Sequence, residues 1–334
     1  MKVFLAMTGA DLARAEYLNG DWRVEHLLPN QTLFCLAADP VHQNVVYAGT
    51  SDGVLRSADG GRTFAPAGLA GRVVKSLAVS KASGAVYAGL KPPALFASRN
   101  GGETWNEIES FQRVRSWWWR SPAESDLGAY LQGIALSPTD PNVIVIGIEA
   151  GAVVRSEDGG QTWEGHRPGA IRDCHTITFH ATNGDWVYEA GGTGAGAAFS
   201  RDAGRTWRQP GEGLDRHYGW AVAADPARPE VWYVSVSPAF ASLTQPIPAA
   251  HVEGHANAYI FRSVGGAAWQ KLGGGLPQPL NYMAYALITD PNAPGHLYAG
   301  LSNGDVWHST DHGDAWEQMP FNLKGIHRTL IILG

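Results

Sequence analysis

The sequence predicts an all-β fold, a seven-bladed β-propeller of four-stranded antiparallel blades, on three observations. One phrase recurs along the chain: SADGGRTF at 57–64, SRNGGETW at 98–105, SEDGGQTW at 156–163, SRDAGRTW at 200–207 and STDHGDAW at 309–316. Worn copies, EYLNGDW and SVGGAAW, end at Trp22 and Trp269. A period of this size marks a stacked array or a propeller and overrides a domain count taken from length. The second observation is a fixed pattern of short alternating strands before each copy. The third is composition: 41 Gly, 13 Trp and only 17% charged residues in 334, which suits a turn-rich all-β chain.

Each recurrent phrase reads as a tight turn between two outer strands. In 156–163 the Asp158 carboxylate is placed to accept backbone N–H bonds, and Gly159 and Gly160 supply positive φ. Trp163 starts the next strand and offers a large apolar ring to the neighbouring sheet. A buried ring there predicts a cost of about 3–5 kcal/mol for Trp163→Ala.

The remaining elements follow in chain order. LFCLAADP (33–40) is a period-2 strand closed by an Asp-Pro turn, VVYAG (45–49) a second strand, and VLRS (54–57) a third. The phrase at 57–64 leads to a fourth, which completes a blade. Further inner strands are VKSLAVS (74–80), LQGIALS (131–137), CHTITFH (174–180), WAVAADP (220–226) and YALITDP (285–291). HRTLIIL (327–333) is a seventh. Its partners are expected at the other end, in KVFLAM (2–7), LARAEY (12–17) and DWRVEHL (21–27). The whole of 1–334 then forms one propeller, its last blade shared between 1–28 and 326–334. Pairing the two ends leaves no open sheet edge, and six blades would expose the apolar 329–333.

A net charge of −6 gives no electrostatic footprint for nucleic acid. No apolar run approaches the ~20 residues of a membrane helix, and MKVFLAM is too short for a signal h-region. Cys35 and Cys174 lie in alternating apolar segments and read as buried free thiols, so the expected compartment is cytoplasmic.

The spacing of turn aromatics locates candidate functional loops. It is 42 residues from Trp22 to Phe64, 41 to Trp105, 44 from Trp163 to Trp207 and 47 from Trp269 to Trp316. It stretches to 58 from Trp105 to Trp163 and to 62 from Trp207 to Trp269. The insertions, about 106–130 and 237–258, sit in connections that emerge on one face, opposite the recurrent turns. Long loops on a rigid scaffold are where function concentrates.

That sector carries the candidate site. The first insertion holds Trp117, Trp118, Trp119, Arg120, Asp126 and Tyr130, and at least one of the three Trp must pack on the propeller. Neighbouring blades begin with Arg172, Asp173 and His175, and with Asp215, Arg216, His217 and Tyr218. The second insertion offers His251, Glu253 and His255. Aligned inner strands place Lys75, Gln132, His175 and Arg328 in one column at the channel mouth, with His327 one residue earlier. Asp173, His175 and His217 are the candidate catalytic groups, although strand geometry does not oblige Asp173 and His175 to touch. Convergence of His175, His217 and His255 would make a divalent-metal site. The spacing of His251 and His255 suits a metal on a helix, but Pro246 and Pro248 argue against a long one. GGTGAG (191–196) reads as an anion nest or a hairpin tip, and no Lys or helix follows it as in a phosphate loop.

The recurrent turns resemble those of the BNR or Asp-box repeat family, which is found in sialidases, other glycoside hydrolases and photosystem II assembly factors. The resemblance runs nearly the length of the chain and concerns a structural motif, so it implies fold more than function. The three-arginine clamp of the sialidases has no counterpart placed here, and the two-propeller cleft of the xyloglucan-cleaving members would need a second propeller. Two function classes follow. One is a small, polar, sugar-like ligand site on the insertion-bearing face, with hydrolysis by carboxylates drawn from Asp126, Asp173, Asp215 and Glu253. No nucleophile elbow is present for an esterase. The other is a non-catalytic protein-interaction scaffold that uses the Trp-rich loop. Insertions folded over the mouth favour the first, and insertions splayed outward favour the second.

Overall fold

A computed structural model of the chain describes residues 2–192, 194–209, 211–240 and 247–334. Its strands form seven antiparallel sheets arranged as a propeller. Blade 1 comprises Leu33–Ala38, Val46–Thr50, Gly53–Ser57 and Ala65–Pro66. The inner strands of blades 2 to 6 are Val73–Val79, Leu131–Leu136, Cys174–Phe179, Tyr218–Asp225 and Ala284–Thr289. Blades 3 and 4 depart from the four-stranded expectation. Their fourth strand shrinks to single bridges, Arg155 with Glu164 and Phe199 with Arg208.

Blade 7 is assembled from both ends of the chain. Leu330–Leu333 pairs antiparallel with Val3–Met7, setting Phe4 opposite Ile332 and Leu5 opposite Ile331. Leu12–Leu18 and Asp21–Leu27 complete the sheet. Phe4, Leu5, Ala6, Leu330 and Leu333 are buried, so closure adds apolar packing to the ladder bonds.

Close packing between blades explains a repeated glycine. The second strands read VYAG, VYAG, VIG and LYAG around Gly49, Gly89, Gly147 and Gly300. A methyl group at Gly49 would meet Val74 O at 2.8 Å, at Gly89 the Leu131 side chain at 2.6 Å, and at Gly147 the Cys174 Sγ at 2.1 Å. Each glycine admits the inner strand of the next blade. Cys35 and Cys174 are both free and buried, as expected.

In the recurrent turns, Ser156 Oγ donates to Asp158 Oδ1 at 2.9 Å and accepts from the Gly160 amide, while Asp158 accepts from the amide and hydroxyl of Thr162. The same bonds recur around Asp59 and Asp202. Bonds from Thr162, against a small burial cost, and then from Ser156 hold the Asp158 carboxyl down to about 2. The turns also pack across blades. Arg155 Nε donates to Ala203 O in the following turn at 2.8 Å, and Arg14 Nε to Gly60 O at 3.0 Å.

The turn tryptophans face the preceding blade's outer connection, but not equally. Trp207, Trp269 and Trp316 are 7%, 5% and 4% exposed. Trp163 is only half-buried, resting edge-on against Phe111 at 5.4 Å and donating to Ser110 Oγ. Trp105, against Ala67 and Gly68 of the preceding connection, is half-buried as well.

Glu189 is fully buried in the second strand of blade 4, and its carboxylate accepts from the Ile171 amide at 2.8 Å. Burial pushes its carboxyl up to about 8. A carboxyl whose pKa is raised in the folded state contributes stability below its unfolded value of about 4.3, and that stability is lost as pH rises through about 8. Glu189→Gln keeps an acceptor for Ile171 and removes the titration. Thermal melts of the variant are expected to lose less between pH 6 and 9 than those of the parent. An unchanged alkaline slope would mean that Glu189 ionises without cost.

Candidate functional site at the channel mouth

A defect repeated in six of the seven blades builds the site. Near the start of the inner strands of blades 1 to 6 the register shifts: between Leu33 and Cys35, Val74 and Ser76, Leu131 and Gly133, Cys174 and Thr176, Gly219 and Val222, and Ala284 and Ala286. A β-bulge leaves an extra residue and re-aims its side chain. Phe34, Lys75, Gln132, His175, Trp220 and Tyr285 consequently line the channel, together with Arg328 from blade 7. The cavity they share is about 510 Å³. Lys75, Gln132, His175 and Arg328 therefore occupy one ring as the aligned repeats predict. Phe34, Trp220 and Tyr285, which the polar pattern of the sequence does not single out, complete it.

Arg328 holds a left-handed backbone, φ +73°, which costs a non-glycine residue roughly 1–3 kcal/mol. Its guanidinium crosses the mouth to Tyr130 Oη at 3.4 Å and Gln132 Oε1 at 3.3 Å, and lies over the Trp220 ring. Gln132 in turn donates to His175 O. His327 sits beside it, near the Tyr285 ring.

The bulge also settles the relation of Asp173 to His175. The His175 ring is 5% exposed, and its Nδ1 lies 2.7 Å from the Gly219 carbonyl. A carbonyl only accepts, so Nδ1 carries the proton and Nε2 keeps its lone pair. Nε2 faces Asp173 Oδ1 at 3.8 Å. The two side chains do meet, and Glu149 joins them: one donor atom from each of Glu149, Asp173 and His175 lies within 4.8 Å of the others. Glu149 is 6% exposed, and burial followed by the charge of Asp173 pushes its carboxyl up to about 8. Burial lowers His175.

The second insertion closes the opposite side of the mouth. His251 ends the short turn Ala249–His251; Tyr218 Oη lies 2.9 Å from its Nε2 and Tyr285 Oη 2.9 Å from its Nδ1. Tyr285 donates its own proton to Ala250 O, so His251 Nδ1 donates to Tyr285 and Nε2 accepts from Tyr218. Burial, then the cationic neighbours, lower His251 to about 4, in keeping with a neutral ring. His251 and His255 do not share a long helix, and residues 241–246, which include Pro246, lie outside the described residues.

The first insertion is pinned by buried Phe111 and Trp119. It sends Glu124 to Lys75 at 2.7 Å and to Lys91 at 2.5 Å, and Asp126 to Lys91 at 2.8 Å. Lys75 also lies over the rings of Phe34 and Tyr130. A second hollow of about 640 Å³ opens here between Lys75, Glu124, Trp117 and Trp119. The three consecutive tryptophans diverge. Trp119 packs inward, Trp118 is 41% exposed under Arg172, and Trp117 is 88% exposed. Arg120 is exposed, its backbone bridged to Gly128.

Several anticipated residues lie away from this centre. Arg216 is engaged with Asp215, with Asn257 O and Oδ1, and with the Tyr259 ring. Exposed His217 lines a separate rim hollow with Arg216 and Phe240. His255 is exposed, with Nδ1 2.9 Å from Glu253 O, and Glu253 is exposed too. The expected convergence of His175, His217 and His255 therefore does not form: the mouth takes His175, and the other two stay on the rim. Among the paired-carboxylate candidates, Asp126 and Asp215 are neutralised by lysine and arginine, and the carboxylate beside Asp173 is Glu149. In the 191–196 loop, Gly192 backs the site, and a methyl group there would meet Asp173 Oδ2 at 2.3 Å and His175 Cε1 at 2.9 Å. Thr193 of that loop lies outside the described residues. Among the described residues no helix is long and apolar enough to cross a membrane.

Comparison with known proteins gives the fold. No family model matches the chain, and no curated protein matches it by sequence. Solved structures do. A GH74 enzyme from Niastella koreensis superposes with TM-score 0.65 at 18% identity, covering 95% of this chain and 52% of that one. The GH74 xyloglucanase from Xanthomonas campestris gives 0.63 at 18%, covering 86% and 45%. YCF48 bound to D1 peptide gives 0.57 at 15%, covering 87% and 81%. The chain spans about half the length of these GH74 chains. At such identities the likeness establishes a β-propeller and no activity.

Proposed function

We propose that the protein binds a small, polar, sugar-like ligand at the insertion-bearing mouth of its channel and that hydrolysis of such a ligand is its activity. The observation that carries this reading is concavity. Glu124 from one insertion and His251 from the other reach the ring of channel-facing side chains, so the insertions fold over the mouth. The wall combines aromatic faces of Trp220, Tyr285 and Phe34 with donors and acceptors on Arg328, Gln132, Tyr218 and His251, a mixture suited to hydroxyl-rich ligands. The presence of GH74 enzymes among the structural neighbours is compatible with a glycoside-hydrolase-like role on a single propeller; the chemistry of the wall carries the reading.

The test is a thermal-shift and saturation-transfer NMR screen of mono- and oligosaccharides, followed by His251→Ala and Arg328→Gln. Each variant is expected to weaken a hit at least tenfold, with melting temperature held within a few degrees. Hits that bind both variants as tightly as the parent would move the site elsewhere.

One observation favours a second reading, a protein-interaction scaffold. Trp117 and Phe240 are 88% and 63% exposed near the mouth, and exposed aromatics are frequent interface anchors. The structural likeness to YCF48, solved with a D1 peptide, is compatible with that use. Loss of partner capture by Trp117→Ala, with saccharide binding absent, would select it.

A further inference from the structure

We infer that Glu149, Asp173 and His175 form a binding site for a divalent first-row transition ion, with Mn²⁺ or Zn²⁺ the best fit. The inference deepens the reading of the mouth as a ligand site, but it is tested without any organic ligand.

Three features converge. The donor atoms come from two neighbouring blades: Glu149 follows Ile144–Ile148 of blade 3, while Asp173 immediately precedes Cys174–Phe179 of blade 4 and His175 is the bulged residue of that strand. They nevertheless lie within 4.8 Å of one another. The second feature is the His175 tautomer. Nδ1–H is held by the Gly219 carbonyl at 2.7 Å, which fixes the ring and aims the Nε2 lone pair at the two carboxylates. Metal-binding histidines are oriented by this kind of bond through the other ring nitrogen. The third feature is Glu149. The residue is 6% exposed, and its carboxylate makes no hydrogen bond or ion pair with the described residues. A carboxylate on a nearly buried residue with no protein partner is costly to ionise, and placing it beside a second one adds repulsion. A cation at the common focus removes both penalties.

The donor set selects the ion. One imidazole nitrogen with two carboxylate oxygens suits Zn²⁺ or Mn²⁺ better than Mg²⁺ or Ca²⁺, which favour all-oxygen shells. Bond lengths of about 2.0–2.2 Å require the donors to close by roughly 1 Å. Three protein ligands leave a coordination position open toward the channel, where a ligand oxygen would bind. Gly192 belongs to the cradle, because a side chain there would displace both Asp173 and His175.

The experiment uses the full chain, stripped with EDTA and dialysed, and titrated with MnCl₂, ZnCl₂ and MgCl₂ by calorimetry. Mn²⁺ binding is followed in parallel by loss of the free-ion EPR signal. The expected result is one equivalent of Mn²⁺ or Zn²⁺ bound in the micromolar range or tighter, with Mg²⁺ far weaker. Glu149→Gln and Asp173→Asn should each reduce affinity at least a hundredfold. Gly192→Ala removes no donor and should reduce it at least tenfold, whereas Asp126→Asn should leave it unchanged. Folding of each variant is checked by its melting curve, and His175→Gln replaces any that fails to fold. Absence of saturable binding at millimolar Mn²⁺ and Zn²⁺ would overturn the inference, as would binding that survives in the Glu149→Gln/Asp173→Asn double variant. Metal binding without any saccharide hit would sink the sugar reading alone. Saccharide binding by metal-free protein, with no ion taken up, would sink the metal site alone.

Discussion

Deletion of residues 328–334 is expected to leave the protein unable to fold as a soluble monomer. The lost segment contains the inner strand Leu330–Leu333, whose ladder with Val3–Met7 is the ring's closure. Without it, Val3–Met7 becomes a bare edge at the channel wall and the Phe4, Phe321 and Ile326 cluster loses Leu330. An unpaired, apolar edge strand is a template for aggregation. Size-exclusion chromatography and thermal melts check the outcome. A truncated chain that stays monomeric and unfolds cooperatively would contradict closure by the terminal strands. Arg328 leaves with the segment, but folding rather than ligand binding is the readout here.

Trp316→Ala is expected to cost about 3–5 kcal/mol, because the ring is 4% exposed, packs on Leu272, and donates through Nε1 to Gly313 O at 2.9 Å. The equivalent change at Trp163 should cost roughly 1–3 kcal/mol, since a half-buried ring loses fewer contacts and leaves a smaller cavity. Denaturant melts of the two variants measure the difference. Equal costs would mean that these rings act through the turn itself rather than through the packing they bring between blades.

Much of the fold is legible because a propeller repeats its own instructions. Seven inner strands, the split last blade and the buried thiols follow from alternation, Asp-Pro turns and recurrent glycines. What alternation hides is the bulge. An extra residue at the start of the inner strands of blades 1 to 6 shifts the facing of its neighbours, so the alignment of repeats, rather than the alternation of faces, places Lys75, Gln132 and His175 at the mouth, with Arg328 in the same column. The same column holds Phe34, Trp220 and Tyr285, whose apolar side chains look like ordinary strand residues in the sequence. Glu149 had a weaker signal. It stands where blades 1 and 6 carry Ser51 and Ser302, an acid in a hairpin turn whose burial depends on the tertiary packing of blades 3 and 4. Arg216, His217 and His255 lie close in sequence to Tyr218 and His251, which do reach the mouth. Their places on the rim follow from Asn257, Tyr259 and Glu253, contacts that no periodicity encodes.

The central claim is that function resides at the insertion-bearing mouth. Its most direct test is a crystal structure of the full chain soaked with a cocktail of neutral and acidic mono- and disaccharides in the presence of MnCl₂. The account predicts ordered saccharide density within hydrogen-bonding reach of Arg328, Tyr218 or His251, and an anomalous peak between Glu149, Asp173 and His175. Density confined to the exposed surface around Trp117 and Phe240, with only water over the channel ring, would contradict it.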